Sequence, residues 1–172
     1  MFAATSRRLF ARLAVLGFAS LAARSAAAAP AEIDPRAVKK DAEIACLYHC
    51  DFGDPARFGQ MLTNINNHLS VYGFDPFKAK IVVVVHGQGL KFFLSDLTGT
   101  PWEKDTLDAD LEKRIAALAQ YGVEFFLCKI TYERLKIDRA KTRDAGYVRF
   151  VPSGVAAVGE LQARGFGYLK TG

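Results

Sequence analysis

A run of five apolar residues, Ile81 to Val85, constrains the fold more than any other segment of the chain. A strand with one face in water alternates apolar and polar side chains, whereas a strand covered by helices on both faces is apolar at every position. The run therefore predicts the central strand of a parallel sheet that lies between two layers of helices.

Strand and helix patterns alternate on both sides of this run. Further strands are predicted at residues 44–50, 123–128, 147–151 and 166–169. Apolar residues at spacings of three and four predict the intervening helices. The buried face of the first helix is Phe58, Met61, Leu62, Ile65 and Leu69, that of the second is Leu107, Leu111, Ile115 and Leu118, and that of the last is Val155, Val158 and Leu161. A less regular helix is expected at 131–140. The alternation predicts an α/β domain over residues 44–172, three-layered and flavodoxin-like, with a mainly parallel five-stranded sheet.

The amino-terminal segment has the features of an export signal. Arg7 and Arg8 precede an apolar stretch of eleven residues, Leu13 to Ala23, which is shorter than the about 20 residues that span a bilayer. Small residues follow, and cleavage is expected after residue 27, 28 or 29. Residues 1–28 are therefore interpreted as a twin-arginine signal that places the protein in the periplasm, followed by an exposed lead-in over 29–43. A frayed Ala-rich helix on a cytoplasmic protein is the alternative.

Removal of this signal changes the charge of the chain. Residues 1–28 contain four arginines and no acidic residue, so the net charge falls from +5 to about +1. The remaining residues show no basic stripe and no aromatic recognition motif. Nucleic acid is therefore not expected as a partner, nor is a membrane once the signal has been removed.

Residues with reactive side chains end three of the predicted strands. The first strand ends at His49 and Cys50, the second is followed by His86 and Gly87, and the third ends at Cys128. Ligands of open parallel sheets bind outside the carboxyl ends of the strands, so one crevice is expected to hold these residues.

Cys128 is the best-placed nucleophile, because its strand gives way to a helix whose amino terminus would stabilise a thiolate. His86 is expected to donate a hydrogen bond or a proton nearby, and the backbone amides of Gly87 and Gly89 to approach a bound anion. His49 is a second polar ligand-binding candidate, although strand alternation turns it away from Cys50. The alternatives are an inert buried cysteine and a histidine bonded to a loop carbonyl.

The other two cysteines are too far apart along one strand to form a disulfide with each other. Cys46 and Cys50 are separated by four rises of about 3.3 Å, whereas a disulfide tolerates about 7 Å between Cα atoms. Cys50 becomes a resolving thiol for Cys128 if their strands are neighbours. Otherwise Cys46 and Cys50 are packed and idle.

A metal or haem site is the main rival interpretation, since cysteine and histidine are metal ligands. No Cys-x-x-Cys-His motif is present, and strand alternation separates His49 from Cys46 and Cys50. No cofactor and no metal are therefore expected. A binding module that recognises a small ligand without catalysis stays open.

The order of several short segments resembles the DsrE/DsrF-like family over residues 42–171. These segments are His86-Gly87, the strand ending at Cys128, Val151-Pro152-Ser153-Gly154-Val155 and Leu161-Gln162-Ala163-Arg164-Gly165-Phe166. Asn64-Ile65-Asn66-Asn67-His68-Leu69 is similar to the exported branch of the family.

The resemblance implies a small α/β domain that assembles into homotrimers or hexamers. Several members carry sulfur in sulfur oxidation or in tRNA thiolation relays, and Cys128 occupies the position of their sulfur-carrying cysteine. Export would separate this protein from tRNA, so a role in tRNA thiolation is not expected. The resulting hypothesis is a periplasmic, sulfurtransferase-like carrier that accepts and passes sulfane sulfur as a Cys128 persulfide, with a donor or acceptor protein as partner. The alternative is a non-catalytic oligomeric module that binds a small ligand or a metal in the strand-end crevice.

Overall fold

The computed structural model describes residues 30–143 and 145–171, so the signal predicted at residues 1–28 lies outside the described part. The described residues form five strands, all parallel, in the order β4-β3-β2-β1-β5. Their bounds are β1 Ile44–Cys50, β2 Ala79–Val85, β3 Glu124–Cys128, β4 Val148–Val151 and β5 Gly167–Lys170. The predicted α/β class with a parallel five-stranded sheet is confirmed.

The α-helices are α1 Pro55–Val71, α2 Ala109–Ala119, α3 Lys129–Leu135 and α4 Gly154–Ala163. Short 3₁₀ helices occupy Pro35–Ala37, Gly87–Phe93 and Arg139–Lys141. Asp54 caps the start of α1, since its carboxylate accepts a hydrogen bond from the Arg57 amide at 2.6 Å. No helix of the described residues is both long and apolar enough to cross a lipid bilayer.

The central strand β2 contributes to two separate cores. Ile81, Val83 and Val85 pack on the face covered by α1 and α2, and Val82 and Val84 pack on the face covered by α4. All five are at most 1% exposed. Burial on both faces explains why no polar residue interrupts this strand.

Two segments differ from the sequence prediction. Helix α3 spans Lys129–Leu135 and begins immediately after β3, whereas the sequence predicts a helix at 131–140, and Cys128 becomes the residue that caps this helix. The lead-in forms backbone hydrogen bonds with the sheet, although the sequence predicts only an exposed segment. The Ile33 amide donates to the Phe150 carbonyl at 2.8 Å, and the Phe150 amide donates to the Ala31 carbonyl at 2.9 Å. These bonds pair the lead-in with the outer edge of β4, where backbone groups of an edge strand would otherwise lack partners.

Candidate functional site

Three neighbouring strands place one reactive side chain each on the same face of the sheet. His49 ends β1, His86 follows β2, and Cys128 ends β3. Each stands two positions after a buried residue of the core beneath α4, and these residues are Leu47, Val84 and Phe126. Because side chains alternate between the two faces of a strand, the three reactive residues share the α4 face at the carboxyl edge.

The first residue of α4 explains how His86 and Cys128 come close. A Cβ built on Gly154 would lie 3.0 Å from the Cβ of Cys128 and 3.0 Å from the Cβ of His86. Both distances are shorter than ordinary contacts between carbon atoms. Glycine therefore allows the start of α4 to fit between the two side chains, and His86 and Cys128 become neighbours around it.

Cys128 and His86 border one cavity of about 240 Å³, which Arg134, Ser153 and Val155 also line. Cys128 is only 5% exposed, so reagents must reach its thiol through this cavity. Arg134 contributes a cation to the lining, and the amino terminus of α4 is adjacent. The arrangement suits a small reactant that develops negative charge beside a thiol.

His86 is bonded to another histidine rather than to the loop carbonyl that the alternative interpretation required. Its Nε2 atom lies 2.6 Å from Nε2 of His49, and Nδ1 of His49 lies 3.0 Å from the hydroxyl of Tyr168 on β5. Burial lowers the pKa of His86, the charge of His49 lowers it further, and Asp51 acts in the opposite direction. His86 is thus favoured in its neutral form, which can accept a proton.

The backbone amides of the two glycines after β2 are engaged within the protein. The Gly87 amide donates to Oγ1 of Thr131 at 3.1 Å, and the Gly89 amide donates to the His86 carbonyl at 3.2 Å. The expectation that these amides approach an anion is therefore corrected. Gly89 instead provides room for packing, because a Cβ there would lie 2.6 Å from the carbonyl oxygen of Cys50 and 2.7 Å from its sulfur.

The structure does not bring Cys50 to Cys128. Strand β2 lies between β1 and β3, so the condition for a resolving pair, that the two strands are neighbours, is not met. Cys50 also belongs to the core on the opposite face of the sheet and is fully buried. Burial raises the pKa of the Cys50 thiol well above its usual range, and burial also raises that of Cys46. Cys46, Cys50 and Cys128 are all free thiols.

Sequence reasoning missed two residues of this site. Tyr168 escaped notice because only strand order places β5 beside β1, where Tyr168 reaches His49. Gly154 lies within the segment that carries the family resemblance, but its role depends on the distance between β2 and β3 at their carboxyl ends.

No group of three or more histidine, cysteine, aspartate or glutamate residues within 30–143 and 145–171 is arranged to hold a metal ion. His49 and His86 contact each other through the nitrogen atoms that would coordinate. The described residues therefore do not provide the three or four protein ligands that a metal site of the zinc type usually has.

Comparison with known proteins identifies one family and a structural neighbour. The model of the DsrE/DsrF-like family matches residues 45–171. The fold is similar to the solved structure of MTH1491, a protein of unknown function from Methanobacterium thermoautotrophicum. The TM-score is 0.60 at 20% identity, and the match covers 74% of this chain and 98% of that one. No curated protein matches the sequence.

Proposed function

This chain belongs to the DsrE/DsrF-like family, and we propose that it accepts and passes sulfane sulfur as a persulfide on Cys128. Family membership indicates a role related to sulfur relay. The observation that carries the finer proposal is the position of Cys128, which borders a small cavity together with His86 and Arg134. A nucleophile, a proton acceptor and a cation thus face the same volume.

The loading step needs no external oxidant. The Cys128 proton moves to the histidine pair, and the thiolate sulfur attacks the outer sulfur of a partner persulfide, R–S–SH. A new S–S bond forms on Cys128 while the original S–S bond breaks, and its electron pair leaves with R–S⁻. That thiolate takes the proton back, so the products are Cys128–S–SH and R–SH. A polysulfide reacts in the same way and becomes one sulfur shorter.

Unloading is the same exchange in the opposite direction. An acceptor thiolate attacks the outer sulfur of the Cys128 persulfide, and Cys128 leaves as the thiolate. Arg134 at the cavity wall stabilises the negative charge that passes between the sulfur atoms. Because no other cysteine reaches Cys128, the carrier cycle uses one thiol of this chain.

The proposal places this activity in the periplasm and in a homo-oligomer. The twin-arginine pattern of Arg7 and Arg8 supports the compartment. Two large apolar side chains support self-association, since Val71 at the end of α1 is 79% exposed and Phe77 before β2 is 80% exposed.

The test is the mass of the protein recovered from the periplasm of expressing cells. Denaturing mass spectrometry is expected to show a chain that begins after residue 27, 28 or 29, and native mass spectrometry an oligomer. Polysulfide is expected to add sulfur that reducing agent removes and that peptide mapping assigns to Cys128. A Cys128 thiol that stays unmodified and resists alkylation would refute the carrier function and leave the binding module as the better interpretation.

A second prediction concerns the gap between His86 and Cys128. Gly154→Ala is expected to slow sulfur loading about tenfold, because the new Cβ would push apart two side chains that must share one reactant. Stopped-flow or quenched mass spectrometry measures the rate. Gly159→Ala is the matched control on the same helix, since a Cβ there meets nothing within 4 Å. Equal loading rates in the two variants would contradict the proposed geometry.

A further inference from the structure

A row of three ring side chains leads from the Cys128 cavity to the surface. His86 borders the cavity, His49 contacts His86 at 2.6 Å, and Tyr168 contacts His49 at 3.0 Å. Tyr168 lies on β5, at the end of the strand order, and is 41% exposed. The row therefore has one end at the reactive cavity and the other end in water.

The distance between the two histidines limits where protons can be. Two nitrogen atoms 2.6 Å apart form a hydrogen bond only when one carries a proton and the other accepts it. In one orientation the Tyr168 hydroxyl donates to Nδ1 of His49, and Nε2 of His49 donates to Nε2 of His86, which leaves a proton on Nδ1 of His86. In the reverse orientation every donor becomes an acceptor, and Nδ1 of His86 is free to take a proton.

We infer that Tyr168, His49 and His86 form a proton path between the Cys128 cavity and solvent. The inference rests on the proposed sulfur-carrier function, because it explains where the Cys128 proton goes during loading. His86 exchanges protons with the reactants. His49 and Tyr168 contact no reactant and act through His86, with which they exchange protons.

The path passes the Cys128 proton to water, keeps the net charge of the three rings and reverses the direction of their hydrogen bonds. A proton from the Cys128 thiol arrives at Nδ1 of His86 through the cavity that both residues border. The proton on Nε2 of His86 passes to Nε2 of His49, the proton on Nδ1 of His49 passes to the Tyr168 oxygen, and the Tyr168 proton leaves to water. Reversal of these transfers returns a proton to the leaving thiolate.

Charged groups on the neighbouring elements lie near this path. Asp51 follows β1 and favours the protonated form of His86, whereas His49 opposes it. Arg134 of α3 lines the same cavity as His86, and Lys170 of β5 is the register partner of His49. The α4 residues that line the cavity, Ser153 and Val155, are uncharged.

The test uses the full mature protein and two independent readouts. The first is the pH profile of Cys128 alkylation by iodoacetamide, which needs no sulfur chemistry. The His49→Gln variant is expected to move the inflection that belongs to His86 to higher pH, because the His49 charge that lowers this pKa is gone. The second is the rate of sulfur loading from polysulfide, which is expected to fall about tenfold in both His49→Gln and Tyr168→Phe, while the final extent of loading is kept.

The chain offers close controls for both variants. His68 also bonds a tyrosine hydroxyl through Nδ1, that of Tyr48 at 3.1 Å, but it lies on α1. Tyr121 has nearly the same exposure as Tyr168, 40% against 41%. His68→Gln and Tyr121→Phe are expected to leave both readouts unchanged.

Each outcome decides the inference. An unchanged alkylation profile in His49→Gln, or a Cys128 that resists iodoacetamide at every pH, would overturn it, as would an unchanged loading rate in Tyr168→Phe. If the wild-type protein accepts no sulfur, the carrier function fails, and the alkylation profile alone still decides whether the histidine pair acts on Cys128.

Discussion

Replacing Cys128 with serine is expected to abolish sulfur loading completely. A serine hydroxyl cannot form the S–S bond of a persulfide, and no second thiol of the chain takes its place. Cys50 is fully buried on the other face of the sheet. The measurement is the intact mass after polysulfide treatment, where Cys128→Ser should keep the mass of the untreated protein.

Cys46→Ser is the matched control for this substitution. Cys46 lies on β1, two strands away from β3, and burial raises its pKa, which favours the protonated thiol over the nucleophilic thiolate. The Cys46→Ser protein should load sulfur as the wild type does. If sulfur is still added to Cys128→Ser but not to Cys46→Ser, Cys46 is the sulfur carrier and the proposal is refuted.

Gly89→Ala is expected to lower the free energy of unfolding by about 3 kcal/mol, the upper end of the usual cost of overpacking. The added Cβ would lie 2.6 Å from the Cys50 carbonyl oxygen, a backbone atom of β1 that cannot turn away as a flexible side chain would. Either β1 or the 3₁₀ helix that holds Gly89 must move. Urea denaturation followed by circular dichroism measures the change.

The Gly159→Ala control shows what the same chemical change does without a steric conflict. Gly159 lies inside α4, where alanine is favoured over glycine by about 0.5–1 kcal/mol, so this variant should gain stability. A Gly89→Ala protein of wild-type stability that has lost its affinity for anions would instead support the anion-binding role that the sequence suggested for Gly89.

Both predictions separate residues that look alike in the sequence. Cys46 and Cys50 lie on β1 and pack on the face covered by α1, whereas Cys128 ends β3 on the other face and borders a cavity with a proton acceptor. Gly89 and Gly154 each permit a close approach. Gly89 allows its 3₁₀ helix to pack against Cys50 at the end of β1, whereas Gly154 lets His86 and Cys128 lie close together. Variants at the two glycines should therefore affect stability and reactivity differently.

Much of the architecture was predictable because it depends on local patterns. The unbroken apolar run at Ile81–Val85 indicated a strand buried on both faces, and all the residues assigned to the buried face of α1 are indeed in the core. Val155 shows the limit of the same reasoning, since helical spacing assigned it to a buried face and it is 69% exposed. It stands in the first turn of α4, where it borders the Cys128 cavity.

The sequence by itself determined the parallel α/β fold and the edge of the sheet where reactive side chains meet. Periodicity records which side of each strand is apolar, and parallel strands share one carboxyl edge. Only the tertiary structure decided which of these side chains are partners. Strand order separates Cys50 from Cys128 and brings Tyr168 beside His49, and it arises from packing between segments far apart in the chain, which no local pattern records.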